Sequence, residues 1–210
     1  MARGRFISVE GIEGVGKSTH LRFIRAWLVR RAVRVLCTRE PGGTVLAEQI
    51  RRLLLDSTLR QLPPLSELLL MFAARASHVR EVIRPALASG RWVLCDRFSD
   101  ASYAYQGAGR GLGPRPVATL ELLVLGRFKP DFTLLLDAPV QTGLARMRKR
   151  GPRDRFEREQ QTFFQRVRRA YLARARQEPR RFQIVDARGE PSVVRARIAT
   201  VLEERVSRWL

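Results

Sequence analysis

The chain has 210 residues, 45% of them hydrophobic, and a formal charge of +20, which is enough apolar material for one compact core and points to a single domain over 1–210. No run approaches the roughly 20 apolar residues that span a bilayer, and the basic start Met1-Ala2-Arg3-Gly4-Arg5 lacks the apolar stretch of a signal peptide, so a cytoplasmic protein with no membrane partner is expected. The positive charge is almost all arginine, with lysine only at positions 17, 129 and 149, and its spread along the chain argues against a specific nucleic-acid partner while suiting small polyanions.

Phe6–Val9 reads as a strand, and Ser18–Arg31 as a helix with Leu21, Ile24, Trp27 and Leu28 at helical spacing. Val33–Cys37 is a second strand. Thr44–Leu55 follows as a helix with Ile50, Leu53 and Leu54 on one side. A long helix is expected over Ser66–Ser89, capped by Ser66 and closed by Gly90. Trp92–Cys95 and Phe132–Leu136 are the third and fourth strands. Pro139 opens another helix, and Glu157–Gln177 and Pro191–Arg208 are amphipathic helices around a last strand at Phe182–Val185. Cys37 and Cys95 both fall in strand runs and read as buried, reduced thiols. Strands alternating with helices imply an α/β fold, a doubly wound parallel sheet of about five strands flanked by helices. Ligands in such sheets bind beyond the strands' carboxyl ends, which directs attention to the loops after Val9, Cys37, Cys95 and Leu136.

Directly after the first strand stands Gly11-Ile12-Glu13-Gly14-Val15-Gly16-Lys17-Ser18-Thr19, which fits G-x-x-x-x-G-K-[ST]. Its glycines let several backbone N–H groups turn inwards, and the helix that follows adds its positive end. Lys17 is expected to reach the β- and γ-phosphates of ATP and Ser18 to hold a magnesium ion, so the fold is of the P-loop NTPase type.

Four further segments stand along the chain: Thr38-Arg39-Glu40-Pro41-Gly42-Gly43-Thr44, Phe72-Ala73-Ala74-Arg75, Asp96-Arg97-Phe98, and Tyr103-Ala104-Tyr105-Gln106-Gly107-Ala108-Gly109-Arg110-Gly111. Together they resemble the bacterial thymidylate kinases. Lys129-Pro130-Asp131 and Asp154-Arg155-Phe156-Glu157 agree as well, so the likeness runs from about Phe6 to Tyr171. It implies transfer of the γ-phosphoryl group of ATP to dTMP, and a homodimer with a helical interface. Arg97, at the end of the third strand, is expected on the acceptor's 5′-phosphate. Asp96 either supports the magnesium shell through water or orients Arg97. Phe72 and Arg75 share a helix face. Spacing alone makes Phe72 ordinary core, whereas the resemblance implies stacking on the pyrimidine, with Arg75 donating to a base carbonyl. The resemblance also makes Tyr105 the wall and Gln106 a hydrogen-bonding residue of the thymidine pocket, and places Glu13 near the acceptor's sugar. The run Leu68-Leu69-Leu70-Met71 suits either core or interface.

Arg146-Met147-Arg148-Lys149-Arg150-Gly151-Pro152-Arg153-Asp154-Arg155 is crowded with cations and broken by Gly151-Pro152, as expected of a mobile lid over about 146–155. Some thymidylate kinases carry an arginine within the phosphate loop and others in the lid. Gly14 stands within the loop here, so the chain resembles the lid-arginine type, with Arg150 the preferred finger and Arg148 and Arg153 its rivals. The competing readings are a kinase for another nucleoside monophosphate or a deoxynucleoside, and a basic P-loop protein that binds nucleic acid without catalysis.

Overall fold

The computed structural model describes residues 3–59, 62–148 and 154–210. Five parallel strands form one sheet: β1 (Phe6–Glu10), β2 (Val35–Arg39), β3 (Trp92–Asp96), β4 (Phe132–Asp137) and β5 (Phe182–Asp186), in the order β2-β3-β1-β4-β5. The central β1 is buried at every position, and its apolar neighbours β3 and β4 are nearly so. That matches the continuous apolar runs expected of a sheet covered on both faces. Val9 pairs with both Asp96 and Leu134. The carboxyl ends of β1 and β3 therefore lie side by side, and the phosphate loop emerges next to Arg97.

The helices are α1 (Lys17–Val29), α2 (Val45–Leu55), α3 (Pro64–His78), α4 (Arg84–Ala88), α5 (Ser99–Ser102), α6 (Pro114–Leu125), α7 (Val140–Arg148), α8 (Gln161–Gln177) and α9 (Pro191–Arg205). One face of the sheet packs Ile24, Trp27, Phe164, Tyr171 and Ile198 against β1, β4 and β5. The other face packs Phe6, Val93 and Cys95 under Val79, Ile83, Phe98 and Leu125. No helix among the described residues is long and apolar enough to cross a membrane.

Four expectations need adjustment. The second strand begins two residues later than Val33, because the Val33 N–H returns to the Leu28 carbonyl (3.2 Å) through Ala32 at φ 59° and so finishes α1. Cys37 is exposed, on the edge strand β2, rather than buried, while Cys95 is buried as expected. The long helix starts at Pro64 rather than at a Ser66 cap, and widens into a π turn at Val79–Ile83 before α4. Pro85, which lacks an N–H and crowds the carbonyl four residues back, accounts for that widening. Between β3 and β4, where four glycines from Gly107 to Gly113 obscure any helical pattern, the chain forms α5, a π segment at Tyr103–Gly109, and α6. Packing overrides propensity there: a Cβ on Gly109 would stand 2.6 Å from the Phe163 ring of α8.

Candidate active site

The phosphate loop runs from β1 into α1, whose N-cap is Gly16 at φ 93°. Gly14 has φ 74°, and a Cβ there would lie 2.1 Å from the Gly143 carbonyl oxygen at the start of α7. A Cβ on Gly143 would in turn meet the Glu13 carbonyl at 2.5 Å. Two glycines thus let the loop rest directly on α7, which leaves position 14 no room for an arginine. Lys17 Nζ donates to the carbonyls of Gly11 (3.1 Å) and Ile12 (3.0 Å). Burial pushes the Lys17 ammonium down to about 8; the Arg97 charge adds to the fall, and Asp96, Glu13 and Glu10 oppose it. Ser18 is exposed in the first turn of α1.

Arg97 follows β3 with its backbone in the left-handed region, φ 69°, an unusual choice for arginine that is often met at functional sites. Its N–H stays on the sheet, donating to the Val9 carbonyl at 3.0 Å. Its Nη1 donates to the Gly11 carbonyl (2.8 Å) and the Tyr171 hydroxyl (2.9 Å), and its Nη2 to Glu13 Oε1 (2.8 Å) and the Tyr105 hydroxyl (2.9 Å). Tyr105 donates to Glu13 Oε2 at 2.5 Å. Behind this group, the buried Glu10 accepts from the Phe98 N–H (2.7 Å) and the Tyr171 hydroxyl (2.8 Å). Burial drives the Glu10 carboxyl up to about 8, with Asp100 adding repulsion and Arg97, Tyr171 and the Phe98 amide offsetting part of it. Asp96 has a buried Oδ1 with no hydrogen-bond partner among the described residues.

A cavity opens beside Arg97 and Glu13, lined further by Arg75, Tyr105, Gln106, Ser102, Met71 and Arg51. Arg75 is 2% exposed and firmly held: Nε donates to Glu40 Oε2 (2.7 Å), Nη1 to the Ser102 hydroxyl (3.1 Å) and Nη2 to the Phe98 carbonyl (3.3 Å). Glu40 itself precedes a cis peptide to Pro41. Phe72 is not at this wall. It lies in a separate apolar cluster with Leu68 and Val117, and Met71 faces the cavity instead. Adjacent residues on a helix point about 100° apart, so a one-residue difference decides which side chain enters. A second recess on the far side of the loop is lined by Gly14, Gly16, His20, Arg146 and Gly189. Arg146 is fixed there by the carbonyls of Ala187 (3.2 Å) and Gly189 (3.0 Å).

The structure therefore brings together Gly11–Thr19, Arg97, Asp96, Glu13, Tyr105, Gln106 and Arg75 at the carboxyl end of the sheet, and leaves Phe72 off the cavity lining. Arg150, with Lys149 and Arg153, lies outside the described residues. Sequence reasoning passed over Met71, Arg51, Ser102, Tyr171 and Glu10. Only Glu10 had a signal, since a carboxylate ending a buried strand needs a reason.

The thymidylate kinase family model matches residues 9–198. The thymidylate kinase of Chromohalobacter salexigens is 56% identical over 211 aligned residues, covering 100% of both chains. That of Teredinibacter turnerae is 55% identical, covering 90% of this chain and 91% of its own. The crystal structure of the Ehrlichia chaffeensis thymidylate kinase superposes with a TM-score of 0.78 at 31% identity, over 95% of this chain and 99% of that one. With a P-loop opening onto an arginine-lined cavity and likeness over its whole length, the chain belongs to the thymidylate kinase family.

Proposed function

We propose that this phosphotransferase moves the γ-phosphoryl group of ATP in line onto dTMP, giving dTDP and ADP for dTTP synthesis. The donor's phosphates occupy the Gly11–Ser18 loop and the acceptor occupies the cavity beside Arg97. One observation carries the reading: Lys17 Nζ and Arg97 Nη1 converge on a single carbonyl, that of Gly11, at 3.1 and 2.8 Å. A donor phosphate met by Lys17 and an acceptor phosphate met by Arg97 then lie next to each other, which is what in-line transfer needs.

Around that pair, Glu13 accepts from a sugar hydroxyl and Tyr105 walls the sugar. Arg75 donates to a base carbonyl, and Met71 presents its thioether to the ring where an aromatic face was expected. The recess at His20 and Arg146 takes the donor's base. Magnesium fits the residues present: Asp96 has an unpartnered buried oxygen, and Ser18 stands in the first turn of α1. No cluster of three or more His, Cys, Asp or Glu forms a cage among the described residues, as suits an ion held mainly by phosphates and water. When bound, the ion neutralises phosphate charge between donor and acceptor. Arg146 is held by the Ala187 and Gly189 carbonyls and Arg155 donates to the Leu54 carbonyl (2.9 Å), so the proposed lid narrows from about 146–155 to the residues between them, of which Arg150 supplies the remaining cation. An alanine there should lower kcat by about 10³-fold, whereas alanine at Arg148 or Arg153 should cost far less.

We assign a homodimer built on α3 and α6. Leu65, Leu69, Leu122 and Leu123 are 49–77% exposed on these two helices, and large apolar side chains grouped at a surface suit a protein partner. The unpaired Cys37 and Cys95 suit a reducing cytoplasm. An ADP-release assay over dTMP, dUMP, dCMP and dGMP tests the reading as a whole. Turnover of dTMP no faster than that of dCMP or dGMP would refute it.

A further inference from the structure

Glu67 is fully buried on α3, in register with the site: Glu67, Met71 and Arg75 follow one another at intervals of four and share a helix face. A glutamate with no exposed surface is rare unless its charge is matched. Here Oε2 lies 3.1 Å from Arg110 Nε and 2.7 Å from an Arg155 guanidinium nitrogen, and these two cations supply the countercharge that burial demands. Oε1 accepts from Gln106 Nε2 at 2.7 Å. Oε2 alone already ties Arg110, just after the π segment, and Arg155, ahead of α8, to α3, so holding the fold leaves the bond to Gln106 unexplained.

Chemistry fixes the sense of that bond. A carboxylate only accepts, so the Gln106 amide must turn its nitrogen to Glu67 and its carbonyl oxygen away from it. Gln106 also lines the cavity beside Arg75. We propose that Glu67 is a positioning residue for acceptor choice: by engaging the Gln106 nitrogen it leaves the Gln106 carbonyl oxygen to accept the N3–H of a 4-oxopyrimidine. The inference rests on the assignment of this cavity to the base. Arg75 donates and Gln106 accepts, which complements the adjacent O4 acceptor and N3–H donor of thymine or uracil. Cytosine offers the reverse pattern, an amino donor against Arg75 and a bare N3 against the carbonyl. Sites built on such hydrogen bonds discriminate strongly, because a mismatched ligand leaves buried groups unpaired.

In Glu67→Gln the side-chain oxygen must stay with Arg110 and Arg155, which only donate, so the new NH2 faces Gln106 and draws its carbonyl oxygen away from the cavity. The test measures kcat and KM for dTMP, dUMP and dCMP with the full chain, for wild type, E67Q, Q106M, the E67Q/Q106M double variant and R75M. Expected is a fall of about tenfold or more in the dTMP-to-dCMP ratio of kcat/KM in E67Q, carried mainly by KM. Q106M should show a similar fall, and the double variant should be no worse than Q106M alone. An E67Q protein that melts like wild type and keeps its ratio overturns the proposal, as do effects of E67Q and Q106M that multiply. Should E67Q fail to fold, Q106M decides, and an unchanged ratio there overturns it. R75M separates the two levels: weakened use of dTMP in R75M beside an intact ratio in E67Q removes Glu67 alone. Unchanged dTMP kinetics in both R75M and Q106M removes the base from this cavity altogether.

Discussion

Arg97 and Glu13 form an ion pair at the cavity mouth, Nη2 2.8 Å from Oε1, with the Tyr105 hydroxyl touching both. The guanidinium is held from two sides before any substrate arrives, so little reorganisation remains when an acceptor phosphate binds. Arg97→Ala should therefore reduce kcat/KM for dTMP by about 10²–10³-fold while changing KM for ATP little. Steady-state kinetics with each nucleotide varied in turn check this, and an unaltered dTMP response would remove Arg97 from the mechanism.

Lys17→Ala should abolish phosphoryl transfer, a loss of at least about 10³-fold, since no other cationic side chain stands within the loop. The lysine also sets a pH limit. Its ammonium is depressed to about 8, and a phosphate ligand prefers the charged form. KM for ATP should rise as pH climbs through 8. Lys17→Arg, whose charge persists at any accessible pH, should show a flat profile from pH 7 to 9.5, even if its activity is low.

Glu10 gives a pH signature in stability rather than catalysis. Its carboxyl is raised to about 8 from an ordinary value of 4.5, so between those limits the folded chain keeps a proton that the unfolded chain releases. The stabilisation is complete below about pH 4.5 and is lost as pH rises through 8. Lys17 acts in the opposite sense above pH 8, where the unfolded chain holds the extra proton. The melting temperature should fall between pH 5 and 8 by at least about 2–4 °C, the effect of 1 kcal/mol in a domain of this size. Glu10→Gln should flatten that slope; a slope preserved in the variant would assign it to another group.

Gly14→Ala should cost at least about 1–2 kcal/mol. The added methyl meets the Gly143 carbonyl oxygen at 2.1 Å and the backbone there is left-handed. Thermal melting with and without ATP would measure both the loss of stability and any loss of nucleotide binding. A variant as stable as wild type would show that α7 can yield.

What sequence conveyed well was local. The phosphate loop is one contiguous motif whose residue types follow from anion binding, and every strand was found, four of them to within a residue at each end. What it conveyed poorly depends on rotation and on distant partners. Met71 and Phe72 are neighbours in the chain, yet only the helix's orientation decides which faces the cavity. Glu67 and Gln106 carry no mark of each other, because their contact spans 39 positions. Arg51 is hidden among 40 basic residues, and the π segment between α5 and α6 is obscured by glycines, of which Gly109 is required by its contact with Phe163.

The glycine contact beneath the phosphate loop bears on how α7 is held. Helix α7 is seated on the loop at Gly143 and pinned to the β5 side at Arg146 by two carbonyls. Its root is therefore clamped like a diving board on its support. Gly143 and Arg146, rather than Pro139, set the direction in which α7 leaves the phosphate loop, and a change at either would be felt in the loop.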